Sequence, residues 1–327
     1  MADILFINYN KTDACAFYRS SGISHNLFKQ SGHNITSITW KDMELNWSVL
    51  SDFDLIMFQR PFNKPAFDLL SYIKAMNKPI WIDYDDNLFV VPPENGNHHV
   101  YNNAENRKAL KDILEIADII TVTNEDLKQA YLPFNSKIVV IPNAFNDSIL
   151  KRPEQIKPRE NMIVWRGTET HIYDLMNFGE PINMATDDFK DWKFNFIGFY
   201  PWFLNKSMNK GFVNGTDIVV YFQNMIKLAP SALQVPLHDN IFNRCKSNIA
   251  YIEASYFGAV SIVPYWWDVP GALKYTDTQS YYDCLKAICL GEIDIEASNQ
   301  IAWEYIQDEL TLTKVNKQRI EIINSLI

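Results

Sequence analysis

Two stretches of the sequence pair cations with backbone that can bind an anion. In Phe242-Asn243-Arg244-Cys245-Lys246-Ser247-Asn248-Ile249-Ala250-Tyr251-Ile252-Glu253 a polar loop opens a helix. Ser247 is placed to cap that helix, leaving the backbone N–H groups that follow, beginning with Asn248, to face a ligand. A helix N-terminus flanked by Arg244 and Lys246 suits a diphosphate. Glu253, nearly two turns on, can accept hydrogen bonds from vicinal hydroxyls such as those of a ribose. In Val164-Trp165-Arg166-Gly167-Thr168-Glu169-Thr170-His171 a strand passes through a turn into a helix that contains Asp174. Gly167 permits close backbone approach, Thr168 or Thr170 can cap the helix, and Arg166 can neutralise a diphosphate. His171 stands in the same anion-facing turn.

The first half of the chain offers carboxylates instead. Trp81-Ile82-Asp83-Tyr84-Asp85-Asp86-Asn87-Leu88-Phe89 is an apolar run that ends in an acidic cluster. Like charges this close repel one another, which argues against a purely stabilising role. Three readings stand side by side. Asp83 and Asp85 form a metal-binding pair, Asp85 or Asp86 positions a hydroxyl or acts as general base, or the cluster is a solvated acidic loop. His98 and His99 lie in a polar loop further on, where solvent exposure competes with ligand contact. Arg19, in Cys15-Ala16-Phe17-Tyr18-Arg19, and Arg60, at the end of another apolar run, are further candidates to bind charge.

These residues fall just after strands, and the layout of the chain accounts for that. Short apolar runs at Ile4–Ile7, Leu55–Phe58, Ile80–Ile82, Ile119–Val122 and Ile138–Ile141 read as buried strands. Between them, Pro65–Met76 and Asn103–Ala117 read as helices. The alternation predicts βαβ units and a parallel sheet covered on both faces. A second series predicts strands at Met162–Trp165, Phe194–Ile197, Ile218–Tyr221 and Val260–Val263. Between the two series, Arg152–Glu160 is charged, contains Pro153 and Pro158, and has linker composition. The expected organisation is a Rossmann-like domain over residues 1–152, a second over 161–300, and a helical segment, 301–327, packed back on the first. Two such α/β domains face each other across a cleft at the carboxyl ends of their strands, where ligands of open sheets bind.

Composition narrows the possibilities. The 327 residues, 47% hydrophobic and 14% aromatic, can bury two cores. A net charge of -9 argues against broad attraction to nucleic acid or anionic membrane. Cys15, Cys245, Cys284 and Cys289 show neither CxxC nor zinc spacing and read as reduced thiols. Asp3 and Asn8 interrupt the early apolar run, so no signal peptide is predicted. No apolar stretch approaches the roughly 18 residues of a membrane span. A soluble, cytoplasmic protein is therefore expected. The lone Gly167 lacks the GxGxxG spacing of a nicotinamide or flavin site.

After Glu253 the chain continues Tyr256-Phe257-Gly258-Ala259-Val260-Ser261-Ile262-Val263-Pro264: a helix end, a glycine turn, a buried strand and a proline stop. With the Glu253 helix, this resembles the retaining, nucleotide-sugar-dependent GT-B glycosyltransferases related to family 4. A phage and cyanobacterial branch with an FN…KS…E pattern is similar at Phe242-Asn243, Lys246-Ser247 and Glu253. Pro236-Leu237-His238-Asp239-Asn240 matches a similar position there and would shape the loop beneath the sugar, with His238 at the surface or behind the direct contacts. In the first half, the acidic cluster, Ala117-Asp118-Ile119-Ile120-Thr121-Val122-Thr123-Asn124 and Val140-Ile141-Pro142-Asn143-Ala144 follow the order of such acceptor domains.

The resemblance implies a donor set of Gly167, Thr168, His171, Arg244, Ser247, Asn248 and Glu253, with Glu253 holding the ribose as the second of the family's paired glutamates. The first glutamate is absent: eight residues back stands Cys245, which puts the usual contact to the donor sugar's hydroxyls in doubt. It further implies Arg166 and Lys246 on the leaving diphosphate, Asp85 and Asp86 at the reacting hydroxyl, and Arg19, Asp83 and His98 as acceptor contacts. Two Rossmann-like halves favour the acceptor role of the acidic cluster over a metal-binding pair of the GT-A kind. No metal or other cofactor is expected beyond a nucleotide-diphosphate sugar as co-substrate, taken as a UDP-sugar, with retention of configuration. A glycan or lipid-linked glycan is expected as acceptor ahead of hydroxymethylated phage DNA, since phosphate contacts need a basic track. A sugar-nucleotide epimerase, or a protein that binds the nucleotide sugar without turnover, competes on the same fold.

Overall fold

The computed structural model describes residues 1–10, 13–153, 159–205 and 209–327. Residues 154–158 of the expected linker thus lie outside the described residues. The first sheet runs in the order β2-β1-β3-β4-β5-β6, all parallel. Its strands are β1 (Asp3–Asn8), β2 (Asn34–Thr39), β3 (Leu55–Gln59), β4 (Ile80–Tyr84), β5 (Ile119–Val122) and β6 (Ile138–Val140). Side chains alternate across the sheet, so each apolar run feeds two cores. Leu5, Ile7, Ile56, Phe58, Ile80 and Ile82 pack on one face against the helices Lys64–Ala75 and Ala104–Ile116. Ile4, Phe6, Leu55, Met57 and Trp81 pack on the other against Ile23, Leu27 and residues from the C-terminal end of the chain. Asn63 and Asn103 cap the two helices by accepting from backbone N–H groups of the first turn, which fixes where each helix begins.

The second sheet, order β12-β11-β10-β7-β8-β9, is also parallel. It comprises β7 (Glu160–Arg166), β8 (Lys193–Ile197), β9 (Lys210–Val213), β10 (Pro230–Gln234), β11 (Val260–Pro264) and β12 (Leu273–Tyr275). The predicted strand Ile218–Tyr221 is instead the first turn of the helix Ile218–Leu228, capped by Asp217. Its β-branched start imitates a strand, but Tyr221, Phe222 and Met225 recur at helical spacing on the buried face while Val219 and Val220 face solvent. The central strand of this region is β10, Pro-Ser-Ala-Leu-Gln, wholly buried between β7 and β11.

The last segment forms two helices where a single one was expected. Ile295–Glu309 packs Ala302 and Ile306 into the second lobe, and Leu312–Leu326 packs Leu312, Val315, Ile322 and Ile323 onto the first. Thr311, extended between them, breaks the helix. The chain therefore crosses between lobes twice, and the crossings are paired: Phe145 N–H donates to Leu310 O at 2.8 Å, and Leu312 N–H donates to Phe145 O at 2.7 Å. Among the described residues, no helix is long and apolar enough to cross a membrane.

Candidate active site between the two sheets

Each sheet has one place where consecutive connections turn opposite ways, between β1 and β3 in the first and between β7 and β10 in the second. Loops leaving such strands splay apart and open a crevice at their carboxyl ends. Here the two crevices share one cavity of about 360 Å³. Cys15, Arg60, Asp85 and Asp86 line it from the first lobe; Arg166, Thr168, His171 and Lys246 line it from the second. The volume lies in the range of a small-molecule site.

Ion pairs cross and brace this cavity. Lys246 Nζ lies 3.0 Å from Asp86 Oδ1, bridging the lobes, and Arg60 Nη2 lies 3.2 Å from Asp86 Oδ2. Burial would raise the Asp86 carboxyl, but Lys246 and Arg60 outweigh it and hold it below the usual carboxylate range. Arg60 also donates from Nε to Asp85 Oδ1 at 2.7 Å. Its backbone sits at φ 58°, the left-handed region that a non-glycine residue adopts at a cost of roughly 1–2 kcal/mol. The bond from Arg60 N–H to Asp83 O, 2.8 Å, and the two carboxylates hold it there. On the opposite wall, Arg166 Nε donates to Glu253 Oε2 at 2.8 Å.

The helix Ile249–Phe257 points its start at the cavity, where Ile249 and Ala250 form part of the wall. Its N-cap residue is Asn248 rather than the expected Ser247, and no side chain bonds the leading N–H groups. The Ser247 hydroxyl instead accepts from the Asn143 amide of the first lobe at 2.8 Å. An uncapped helix start beside Lys246 and Arg166 is an arrangement that attracts a phosphate. Thr168, expected as a cap, makes no capping bond either, but lines the cavity and pairs with the Thr170 hydroxyl at 2.7 Å.

Several expected contacts lie elsewhere. Arg19 and Asp83 do not reach the cleft; they form a buried ion pair with side chains 0% and 2% exposed. Arg19 Nε donates to Asp83 Oδ1 at 2.9 Å and Nη1 to Ile141 O at 2.6 Å, while Thr121 donates to Asp83 Oδ2 at 2.6 Å. Asp85 faces Arg60 while Asp83 faces Arg19, so the two carboxylates share no site. Among the described residues, no three His, Cys, Asp or Glu side chains are grouped to hold a metal ion. Glu253 is buried and accepts from Arg166, from the Tyr221 hydroxyl at 2.9 Å and from the Tyr18 hydroxyl at 3.1 Å, so it braces the wall and does not present itself to a ribose. Arg244 turns away to a bidentate pair with Asp239, at 2.6 and 2.9 Å. His98 lies outside the lining, its Nδ1 donating to Val91 O at 2.7 Å and its Nε2 accepting from Asn102.

Gly167 approaches the protein's own side chains: a Cβ there would lie 2.7 Å from the Trp165 ring. Its carbonyl packs against Gly198 at φ 92°, where a Cβ would lie 2.3 Å from Gly167 O. Gly198→Ala is therefore expected to destabilise the protein by more than about 2 kcal/mol. A urea unfolding midpoint unchanged from wild type would refute that.

Tyr18 and Tyr221 were not anticipated. Buried tyrosine hydroxyls need an acceptor, but only the fold shows that both take Glu253. Asn124 belongs to the same group, its amide donating to Lys246 O at 3.0 Å and so fixing the loop that carries the lysine.

No protein-family model and no curated protein matches the sequence. Solved structures match the fold along its whole length. HepE of Anabaena, solved with UDP-glucose, has a TM-score of 0.66 at 12% identity over 100% of both chains. Sucrose-phosphate synthase of Thermosynechococcus elongatus has a TM-score of 0.70 at 13% identity, over 100% of this chain and 99% of its own. An alpha-glucosyltransferase solved with UDP has a TM-score of 0.66 at 12% identity, over 99% of this chain and 100% of its own. At such identities the likeness is one of architecture, and the architecture is specific: two parallel Rossmann-like sheets facing a cleft, the GT-B fold.

Proposed function

We propose that this protein is a glycosyltransferase that moves a sugar from a nucleotide-diphosphate sugar to an acceptor hydroxyl. One observation carries the proposal: a single cavity sets an uncapped helix start, Arg166 and Lys246 on one wall and Asp85 and Asp86 on the other. The diphosphate lies against the second lobe, where fixed positive charge stabilises the leaving group as the bond to the sugar breaks. Lys246 exchanges Asp86 for phosphate, and the released Asp86, with Asp85, orients the acceptor hydroxyl from the first lobe. Contact between the lobes excludes water that would hydrolyse the donor. Two of the similar structures hold UDP-glucose or UDP, so a UDP-sugar is the first donor to try. Retention of configuration and catalysis without a metal complete the proposal, supported by the resemblance of the Phe242–Glu253 segment and by the separate partners of Asp83 and Asp85. With a net charge of -9, a glycan acceptor is favoured over modified DNA.

Thermal unfolding with UDP, GDP, ADP, CMP or NAD tests the donor site. A nucleoside diphosphate at a hundredfold its dissociation constant should add about 2.7 kcal/mol of stability. No stabilisation by any of them would sink the proposal. Product analysis with UDP-glucose and a panel of sugar acceptors then separates transfer from epimerisation and from binding without turnover.

A further inference from the structure

One titratable pair in the cavity wall has no task in the chemistry so far. His171 lines the cavity in the turn after β7, and its Nδ1 lies 3.1 Å from Asp174 Oδ2. Asp174 is buried, and its other oxygen accepts from the Asn243 amide at 2.6 Å and from the His238 backbone N–H at 3.0 Å. The carboxylate is therefore held on both oxygens and cannot turn away from the imidazole. The ring itself stands edge-on to Trp165, centroids 6.4 Å apart. With Nδ1 committed to Asp174, Nε2 is the nitrogen left to meet a ligand. A neutral imidazole that donates from Nδ1 offers only a lone pair at Nε2, which a phosphate oxygen repels; an imidazolium donates from both nitrogens.

We propose, on the reading of this cavity as a nucleotide-sugar site, that His171 takes up a proton as the donor binds and gives its Nε2–H to a diphosphate oxygen. Asp174 is the positioning residue that holds the ring and balances its charge, and Asn243 in turn holds Asp174. The arrangement follows a general pattern in which a carboxylate behind a histidine fixes its tautomer and ring orientation. It also gives Asn243 a part in the site, although its own polar atoms need not touch the ligand.

The other charges around the ring are largely paired already. Asp86, which faces His171 across the cavity, is held by Lys246 and Arg60. Arg166 is held by Glu253, Glu169 in the same turn is exposed, and the His238 ring rests on Tyr173, beside Asp174. When Lys246 leaves Asp86 for the diphosphate, Arg60 still holds Asp86, and the diphosphate is the anion that the Nε2–H meets.

UDP-glucose is the probe, because its diphosphate carries no group that titrates near neutral pH. Calorimetric titration in buffers of different ionisation heat should show net proton uptake as the ligand binds. Its affinity should fall on the order of tenfold between about pH 6.5 and about pH 8.5. H171Q, at a half-buried position that tolerates the change, should still bind but exchange no proton and lose the pH dependence. D174N should bind with reduced uptake. Binding without proton uptake in the wild type, or equal uptake in H171Q, would overturn the inference and leave the donor site standing. Failure of the wild type to bind UDP-glucose would remove the UDP-sugar site and this inference together.

Discussion

Lys246→Ala should lower turnover of the donor by about 10²–10³-fold, the loss typical of removing one preorganised group from a developing negative charge. The lysine is the one cation among the lining residues named here that joins the lobes, through Asp86, and its loop is fixed by the Asn124 amide and the Asn143–Ser247 bond. With the loop fixed, only the lysine side chain has to move from Asp86 to the proposed diphosphate, which keeps reorganisation small. The loss should fall on kcat and on kcat/KM alike, because the contact strengthens in the transition state. Steady-state kinetics with UDP-glucose decides it. If only KM rises while kcat is unchanged, Lys246 merely holds the ground state and the catalytic assignment fails. Asp86→Asn should lower kcat as well, since it withdraws both the lysine's partner and the carboxylate proposed to meet the acceptor.

Asp83→Ala should cost about 3–5 kcal/mol of stability, the usual consequence of leaving one partner of a buried ion pair alone. The expected loss is at the upper end, because Asp83 serves more than Arg19. Arg319, from the helix Leu312–Leu326, is buried beside the pair, with Nη1 donating to Asn316 and Nη2 without a partner among the described residues. Burial and then the nearby Arg19 push its guanidinium down to about 9, and Asp83 is the opposing carboxylate. Removing Asp83 would strand two buried cations. Urea unfolding checks this, and a second variant keeps it interpretable: Arg19→Met with Asp83→Leu should cost less than the sum of the single changes. Additive losses would mean that the pair is not coupled and that the cluster acts only by packing.

Most central strands were legible because they are buried on both faces and continuously apolar, as in Ile4–Ile7 and Leu55–Phe58; β10 was not, because Pro230, Ser231 and Gln234 interrupt its apolar run. Two edge strands were not: Asn34–Thr39 has only Ile35 and Ile38 as apolar residues and is only half-buried, and Lys210–Val213 is short. The misassigned Ile218–Tyr221 shows the limit of a four-residue window, since the helical recurrence that identifies it starts at the last residue of that run and continues to Met225. In the candidate site, the loops bearing Arg166 and the acidic cluster could be found because each follows a predicted strand, and the loop bearing Lys246 because its cations precede a helix start. Which carboxylate faces the cavity could not, because the partner that takes Asp83 inward, Arg19, is distant in sequence. Glu253 is the same case: its two tyrosines come from different parts of the chain, one from each lobe.

The helix Leu312–Leu326, which closes one face of the first sheet, follows the entire second lobe in the chain. During synthesis the first sheet is therefore complete in its strands long before it is complete in its core. Until that helix emerges from the ribosome, Ile4, Phe6 and Leu27 stay uncovered on one face, and the second lobe must fold beside an unfinished neighbour. The lobe that is translated first is finished last, and the two lobes do not mature as independent modules.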